Sequence, residues 1–112
     1  MIHFPDRIKM GNRIKGISEL KENWNDNGAE PFPKDVLKEC RHFLNDLPYP
    51  MEIFPVADGS VQFRNDSENI SFKVYADHLA LFWIDPFADT HYFPNVDRDY
   101  LIEFLKRRCR DD

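Results

Sequence analysis

The stretch D-G-S-V-Q-F-R-N-D-S-E-N-I-S-F-K-V-Y, Asp58 to Tyr75, decides how this chain folds. Asp58-Gly59 is a tight-turn signal. After it, Val61 and Phe63 alternate with Gln62 and Arg64. A polar turn, Asn65 to Asn69, follows, and then Ile70, Phe72 and Val74 alternate with Ser71, Lys73 and Tyr75. A period of two with one apolar face is the mark of half-buried strands. Two such strands joined by a short turn pair antiparallel and turn Val61 and Phe63 toward a core.

Reading outward from this hairpin gives the other elements. Ala76-Asp77-His78 turns the chain, and Leu79 to Ile84 is nearly all apolar, which predicts a central strand covered on both faces. Upstream, Met51 to Val56 reads as a short strand, with Pro55 marking an edge or a bulge. Asp85 to Pro94 reads as a loop or short strand. Val36, Leu37, Cys40, Phe43, Leu44 and Leu47 form one broad apolar helical face. Pro33 suits that helix's first turn, Asp35 and Glu39 suit its positive pole, and Pro48 and Pro50 end it. Ile14, Ile17, Leu20 and Trp24 predict an earlier helix from about Asn12 to Asn23. The opening I-H-F-P-D-R reads as an arm or an edge strand. A last helix begins near Val96 or Asp97, capped by Asn95 or Asp97. Its buried stripe is Tyr100, Leu101, Phe104, Leu105 and Cys109. The whole predicts a single α+β domain over residues 1–112: an antiparallel meander of three to five strands with about three helices packed mainly on one face.

Composition agrees with this class. The chain has 112 residues, 42% of them hydrophobic, with ten Phe, four Tyr and two Trp. That load of aromatics fills a core and is foreign to a disordered chain. Net charge is −5, from 15 basic and 20 acidic residues, which disfavours nucleic acid as a partner. The dense basic cluster is Lys106, Arg107, Arg108 and Arg110. It falls at a helix end, where cations oppose the negative pole of the macrodipole, and a nucleic-acid contact there is the alternative reading. Cys40 and Cys109 form no C-x-x-C pair and read as small buried thiols. With no apolar leader in Met1 to Met10 and no membrane-length apolar run, a cytoplasmic location is the expectation.

The W-N-D-N-G-A-E-P segment, Trp24 to Pro31, invites comparison with a calcium loop, since Asn23, Asn25, Asn27 and Gly28 fall at positions one, three, five and six of one. The twelfth position is Lys34, which repels a cation where a bidentate Glu is required. The simpler reading is architectural: Trp24 packs under a turn that pins two helices together. His3, His42, His78 and His91 show no metal spacing, so neither a metal nor a cofactor is expected. There is no nucleophile elbow and no phosphate-cradling loop. Ser60 is better explained by the hairpin than by catalysis. An enzyme would need dispersed residues, such as Trp24, Asp26, His78 and His91, to converge.

Binding is harder to dismiss, although core plus a structured loop is the plainer reading of the stretch that suggests it. F-W-I-D-P-F-A-D-T-H-Y-F-P, Phe82 to Pro94, mixes aromatics with Asp85, Asp89 and His91. Aromatics are enriched at the centres of interfaces, and acids beside them suit a basic partner. Trp83, Phe87, Asp89, His91, Tyr92 and Phe93 are therefore the candidate partner-binding residues. A homodimer through a self-complementary patch is a further option.

Leu20, Trp24, Asn25, Gly28, Ala29 and Pro31, followed by Pro55, Asp58, Gly59, Ser60, Val61 and Phe63, carry a longer pattern: L-x3-W-[DN]-x2-G-A-x-P … P-x2-D-G-[SG]-[VI]. It resembles an uncharacterised family of small bacterial and mobile-element proteins, some encoded near toxin–antitoxin or defence genes. Asn25 departs from the Asp usual there, and Arg64-Asn65 replaces a frequent Glu-Trp. The resemblance brings no active-site residues. Taken with the absence of catalytic patterns, the acidic balance and the aromatic–acidic stretch, it leads to the expectation of a non-enzymatic, antitoxin- or inhibitor-like factor of mobile-element or defence type that binds a protein partner.

Overall fold

The computed structural model describes residues 4–25, Gly28 and 31–108. Two helices come first, α1 (Phe4–Ser18) and α2 (Lys34–Asp46). Five strands follow: β1 (Glu52–Pro55), β2 (Val61–Asn65), β3 (Ile70–Val74), β4 (Leu79–Ile84) and β5 (Thr90–Val96). Helix α3 (Arg98–Arg108) closes the chain. The sheet is a meander in the order β1-β2-β3-β4-β5, antiparallel throughout. The α+β class and the strand count match the expectation from sequence.

Register explains why the sheet has two unlike faces. Ile53 pairs with Phe63, Phe63 with Phe72, Phe72 with Leu81, and Leu81 with Phe93. Directly paired residues share a face, so these five form one row toward the helices. Phe43 of α2 meets Phe63 and Phe72 at ring-centroid distances of 6.1 and 5.1 Å, and those two rings stack at 4.7 Å. Phe104 of α3 stands edge-on to Trp83 at 5.3 Å. Ile14 and Ile17 of α1 join the same core. All three helices therefore lie over one face, and one contiguous core results.

Turn chemistry holds the register. Gly59 has φ +89, which a side chain would strain. Its amide donates to the Val56 carbonyl at 3.0 Å, and the Val56 amide donates to the Ser60 carbonyl at 3.0 Å. The Asp58 carboxylate accepts from the Ser60 amide at 2.9 Å and the Ser60 hydroxyl at 2.5 Å. Ser60 is fully buried and serves this turn. In the next turn, Asn65 Oδ1 accepts from Ser67 Oγ and from the Glu68 amide, while Asn69 takes φ +54.

Three boundaries differ from the sequence reading. The first helix covers Phe4–Ser18 rather than Asn12 to Asn23. Pro5 falls in its first turn, where a missing N–H costs nothing, and Asp6 faces the positive pole. Met10 then completes a buried stripe with Ile14 and Ile17. The helix ends in tight i→i+3 bonds, from the Glu19 amide to the Gly16 carbonyl and from the Leu20 amide to the Ile17 carbonyl. Second, β4 is buried on both faces only at its start, from Leu79 to Leu81, and its outward Phe82 is exposed. Third, the segment read as a loop or short strand yields β5, a seven-residue edge strand. One extra residue near Pro94 makes a bulge, since Leu79 pairs with Val96 but Leu81 with Phe93.

The tryptophan turn is architecture in its described part. Trp24 packs on Phe32 at 5.5 Å and joins the core's margin. Asn23 adopts φ +62, and its Oδ1 accepts the Gly28 amide at 2.7 Å. Asp26, Asn27, Ala29 and Glu30 lie outside the described residues, as do Cys109 and Arg110. On α3, Asp97 is the cap, accepting the Tyr100 amide at 2.7 Å. The buried stripe is Leu101, Ile102, Phe104 and Leu105. Tyr100, expected in that stripe, is exposed.

Candidate interaction surface

The same register that buries one row exposes its neighbours. Glu52, Arg64, Ser71, Phe82 and Tyr92 pair in sequence across all five strands. The adjacent row is Phe54, Gln62, Lys73 and Ala80. Both rows point away from the helices, and no described helix covers them. Phe82 and Tyr92, cross-strand neighbours, are 38% and 63% exposed. Arg64 lies over the Phe54 ring at 4.5 Å. Its guanidinium reaches Asp66 at 2.9 Å and Glu52 at 3.8 Å, so its charge is locally matched. This face is apolar enough to bind and carries little net charge.

The β4–β5 connection ends this surface. Asp85 organises it: one carboxylate oxygen accepts the Phe87 and Asp89 amides at 2.9 and 3.0 Å, and the other lies 2.8 Å from His91 Nε2. The hydrogen bond to His91 holds the Asp85 carboxyl below its usual range, against the smaller opposing effect of burial, with the two amides adding to it. Ala88 takes φ +66 to close the turn. Phe87 stands on it with 87% of its surface exposed.

The six sequence-predicted residues are thus divided. Tyr92 belongs to the open face with Phe82. Phe87 and Asp89 sit at the hairpin tip and are exposed. Trp83, His91 and Phe93 lie on the helix side: His91 stacks on Trp83 at 4.9 Å, and Phe93 packs toward Tyr100 at 6.2 Å. Sequence reasoning turned Arg64 outward and set Lys73 opposite the apolar half of its strand, but named neither of them, nor Phe54, as a candidate for binding. Their signal was the outward half of the two-residue alternation.

The basic cluster also divides. Lys106 is 3.9 Å from Glu103 on its own helix. Arg108 folds back so that its guanidinium lies 4.2 Å from the Trp83 ring centroid and 4.9 Å from that of Phe104. Arg107 and Arg108 line a cleft of about 480 Å³ with Glu68, Trp83, Ile84 and Pro86.

Of the residues named for a dispersed catalytic site, Asp26 lies outside the described residues, and Trp24, His78 and His91 do not come together. His78 stacks on Tyr75 at 4.3 Å and contacts Asp77 at 2.6 Å, just before β4. His91 pairs with Trp83, near the far end of that strand, roughly 15 Å along it at ~3.3 Å per residue. Trp24 packs on Phe32 instead. A second cleft of about 620 Å³ holds polar groups including Glu39, His42, Asp77, His78 and Arg98. Arg98 there is already engaged by Glu39 at 3.3 Å, by the His42 carbonyl at 3.1 Å and by Asp46. Cys40 is fully buried, and burial pushes its thiol up to about 12, far from a reactive thiolate. Among the described residues no group of three or more His, Cys, Asp or Glu side chains has a metal-binding arrangement. No described helix is long and apolar enough to cross a membrane.

No protein-family model matches the chain, and no curated protein or solved structure matches it either.

Proposed function

We propose that this chain is a non-enzymatic, cytoplasmic protein-binding factor, of the antitoxin or inhibitor kind, whose docking face is the open side of the sheet. The observation that carries the reading is the exposed pair Phe82 and Tyr92, set on a rigid antiparallel platform that no described helix covers. An antiparallel sheet tolerates water on one face when that face is polar. Here the face presents Phe54, Phe82, Ile84 and Tyr92, and its arginine is neutralised by its own neighbours. Such a surface gains by losing water to a partner's apolar centre. The hairpin tip, with Phe87 and Asp89, extends it toward a partner with basic groups.

The test is affinity capture from the host with three versions of the chain: unmodified, Phe82→Ser/Tyr92→Ser, and Ile8→Ser. Ile8 is 47% exposed on α1, outside the sheet, and serves as the control. A defined protein recovered with the unmodified chain and the control, and lost with the double variant, supports the reading. Equal recovery with all three moves the interface elsewhere. No partner, together with turnover of a small substrate, overturns it.

A further inference from the structure

The cleft between the β2–β3 turn, the end of β4 and the C-terminal turn of α3 has features that helix-end electrostatics does not explain. Cations in a last helical turn need only lie near the negative pole. Arg108 instead lies across Trp83 and Phe104, and its Nε is buried with no acceptor among the described residues. Arg64 Nε is buried in the same way yet lies 2.9 Å from Asp66, so what sets Arg108 apart is that its guanidinium has no ion-pair partner among the described residues, which leaves its charge open to an acceptor. Neither Arg107 nor Arg108 forms an ion pair with a described residue. The far wall is held in place, because the Ile84 amide donates to the Asn69 carbonyl at 3.0 Å and ties the β2–β3 turn to the end of β4.

From this geometry we infer that the cleft receives an acidic side chain, Asp or Glu, presented by a protein partner. The claim rests on the reading of the chain as a protein-binding factor and adds a second, charged subsite to it. A guanidinium stacked on an aromatic ring keeps its N–H edge free, and that planar fork matches the two oxygens of a carboxylate. Charge selects the class. Among the described lining residues, Arg107 and Arg108 against Glu68 leave one net positive charge, which a single carboxylate neutralises. A run of phosphodiesters would overshoot and meet the field of a chain carrying −5. Trp83, Ile84 and Pro86 supply an apolar wall for the residues flanking the acid.

The experiment uses the full chain and the blocked tripeptide acetyl-Leu-Glu-Leu-amide, followed by NMR at the Trp83 indole and the arginine Nε–H signals. Acetyl-Leu-Gln-Leu-amide, inorganic phosphate and a ten-residue oligothymidylate are titrated in parallel. The glutamate peptide is expected to give saturable shifts, bind at least tenfold tighter than the glutamine peptide, and weaken roughly tenfold in Arg107→Gln. Arg107 is exposed, so that variant keeps the fold. Phe82→Ser/Tyr92→Ser is expected to bind the glutamate peptide unchanged, which separates failure of this cleft from failure of the open face. The inference is overturned by equal binding of the two peptides, by no saturable shift, or by tighter binding of phosphate or the oligonucleotide.

Discussion

The two faces of the sheet come from the same strands and differ by one residue in phase. On the covered face, Ile53, Phe63, Phe72 and Leu81 are buried beneath the helices. On the open face, Glu52, Arg64, Ser71 and Phe82 occupy the equivalent positions one residue along. The first set excludes water and supplies stability. The second keeps large side chains in water, where they add little to folding and are available for contact. Aromatic content alone does not separate these roles, because both faces contain phenylalanine. What separates them is whether the next layer is present.

The largest expected effect tests that division directly. Phe63→Ala removes a fully buried ring that touches Phe43 and Phe72. Truncating such a ring costs about 3–5 kcal/mol, read from the midpoint of urea unfolding. A loss below about 1 kcal/mol would mean that this face is not the stabilising one.

An intermediate effect probes what keeps the faces distinct. A slip of one residue in β1 or β2 would exchange inward and outward side chains, and the Asp58-Gly59-Ser60 turn resists it. Gly59 has φ +89 and open space around its missing Cβ, so Gly59→Ala strains the backbone without a clash. The expected cost is about 1 kcal/mol. Gly16 also has open space but lies in a helix, so Gly16→Ala is expected to raise stability by roughly 0.5–1 kcal/mol. Opposite signs from the same substitution would confirm that conformation, not space, decides both positions.

On the open face, Phe82→Ser is expected to cost about 1 kcal/mol, from lost strand propensity and cross-strand contact with Tyr92, well below the cost of Phe63→Ala. A loss comparable with that of Phe63→Ala would show that Phe82 is part of the core and would remove the docking surface.

Periodicity explains which elements were legible in the sequence. The second helix and the β2–β3 hairpin kept unbroken patterns, and both were read within a residue or so of their bounds. The first helix was read late at both ends. The opening I-H-F-P-D-R was read as an arm or an edge strand, although Pro5 sits where a helix tolerates proline. Leu20 and Trp24 continued the spacing past the helix end, because a turn can aim side chains at the same core. Strand β5 was read only as a loop or short strand, and it runs on past Pro94 because an edge strand with a bulge accommodates that proline. The candidate site was half legible: Phe82 to Pro94 was recognised as aromatic and acidic, but read as one patch. A two-residue period sends Trp83, His91 and Phe93 under α3 and Phe82 and Tyr92 outward. The cleft at Arg108 depends on contacts between residues far apart in the chain, and no local pattern announces it.

The smallest expected effect is local and depends on pH. Asp85 joins the two faces, since it holds His91 on the helix side while positioning the turn that carries Phe87 outward. Its carboxyl titrates below the ordinary 3.8, chiefly because it is hydrogen-bonded to His91. The unfolded chain therefore binds more protons through that window, and the stabilisation from Asp85 rises with pH across it. The contribution is complete above the ordinary value and is lost as pH falls through the lower, folded one. Hydrogen exchange at the Phe87 and Asp89 amides reads this directly. At neutral pH, Asp85→Asn is expected to speed exchange there by a few-fold to roughly tenfold, the scale of one weakened charge-assisted bond. Amides in β2 and β3 should not change, because the hairpin tip opens without the core. If the variant and the unmodified chain exchanged alike at neutral pH, the carboxylate would not be what sets the tip, and Phe87 would owe its exposure to the backbone turn alone.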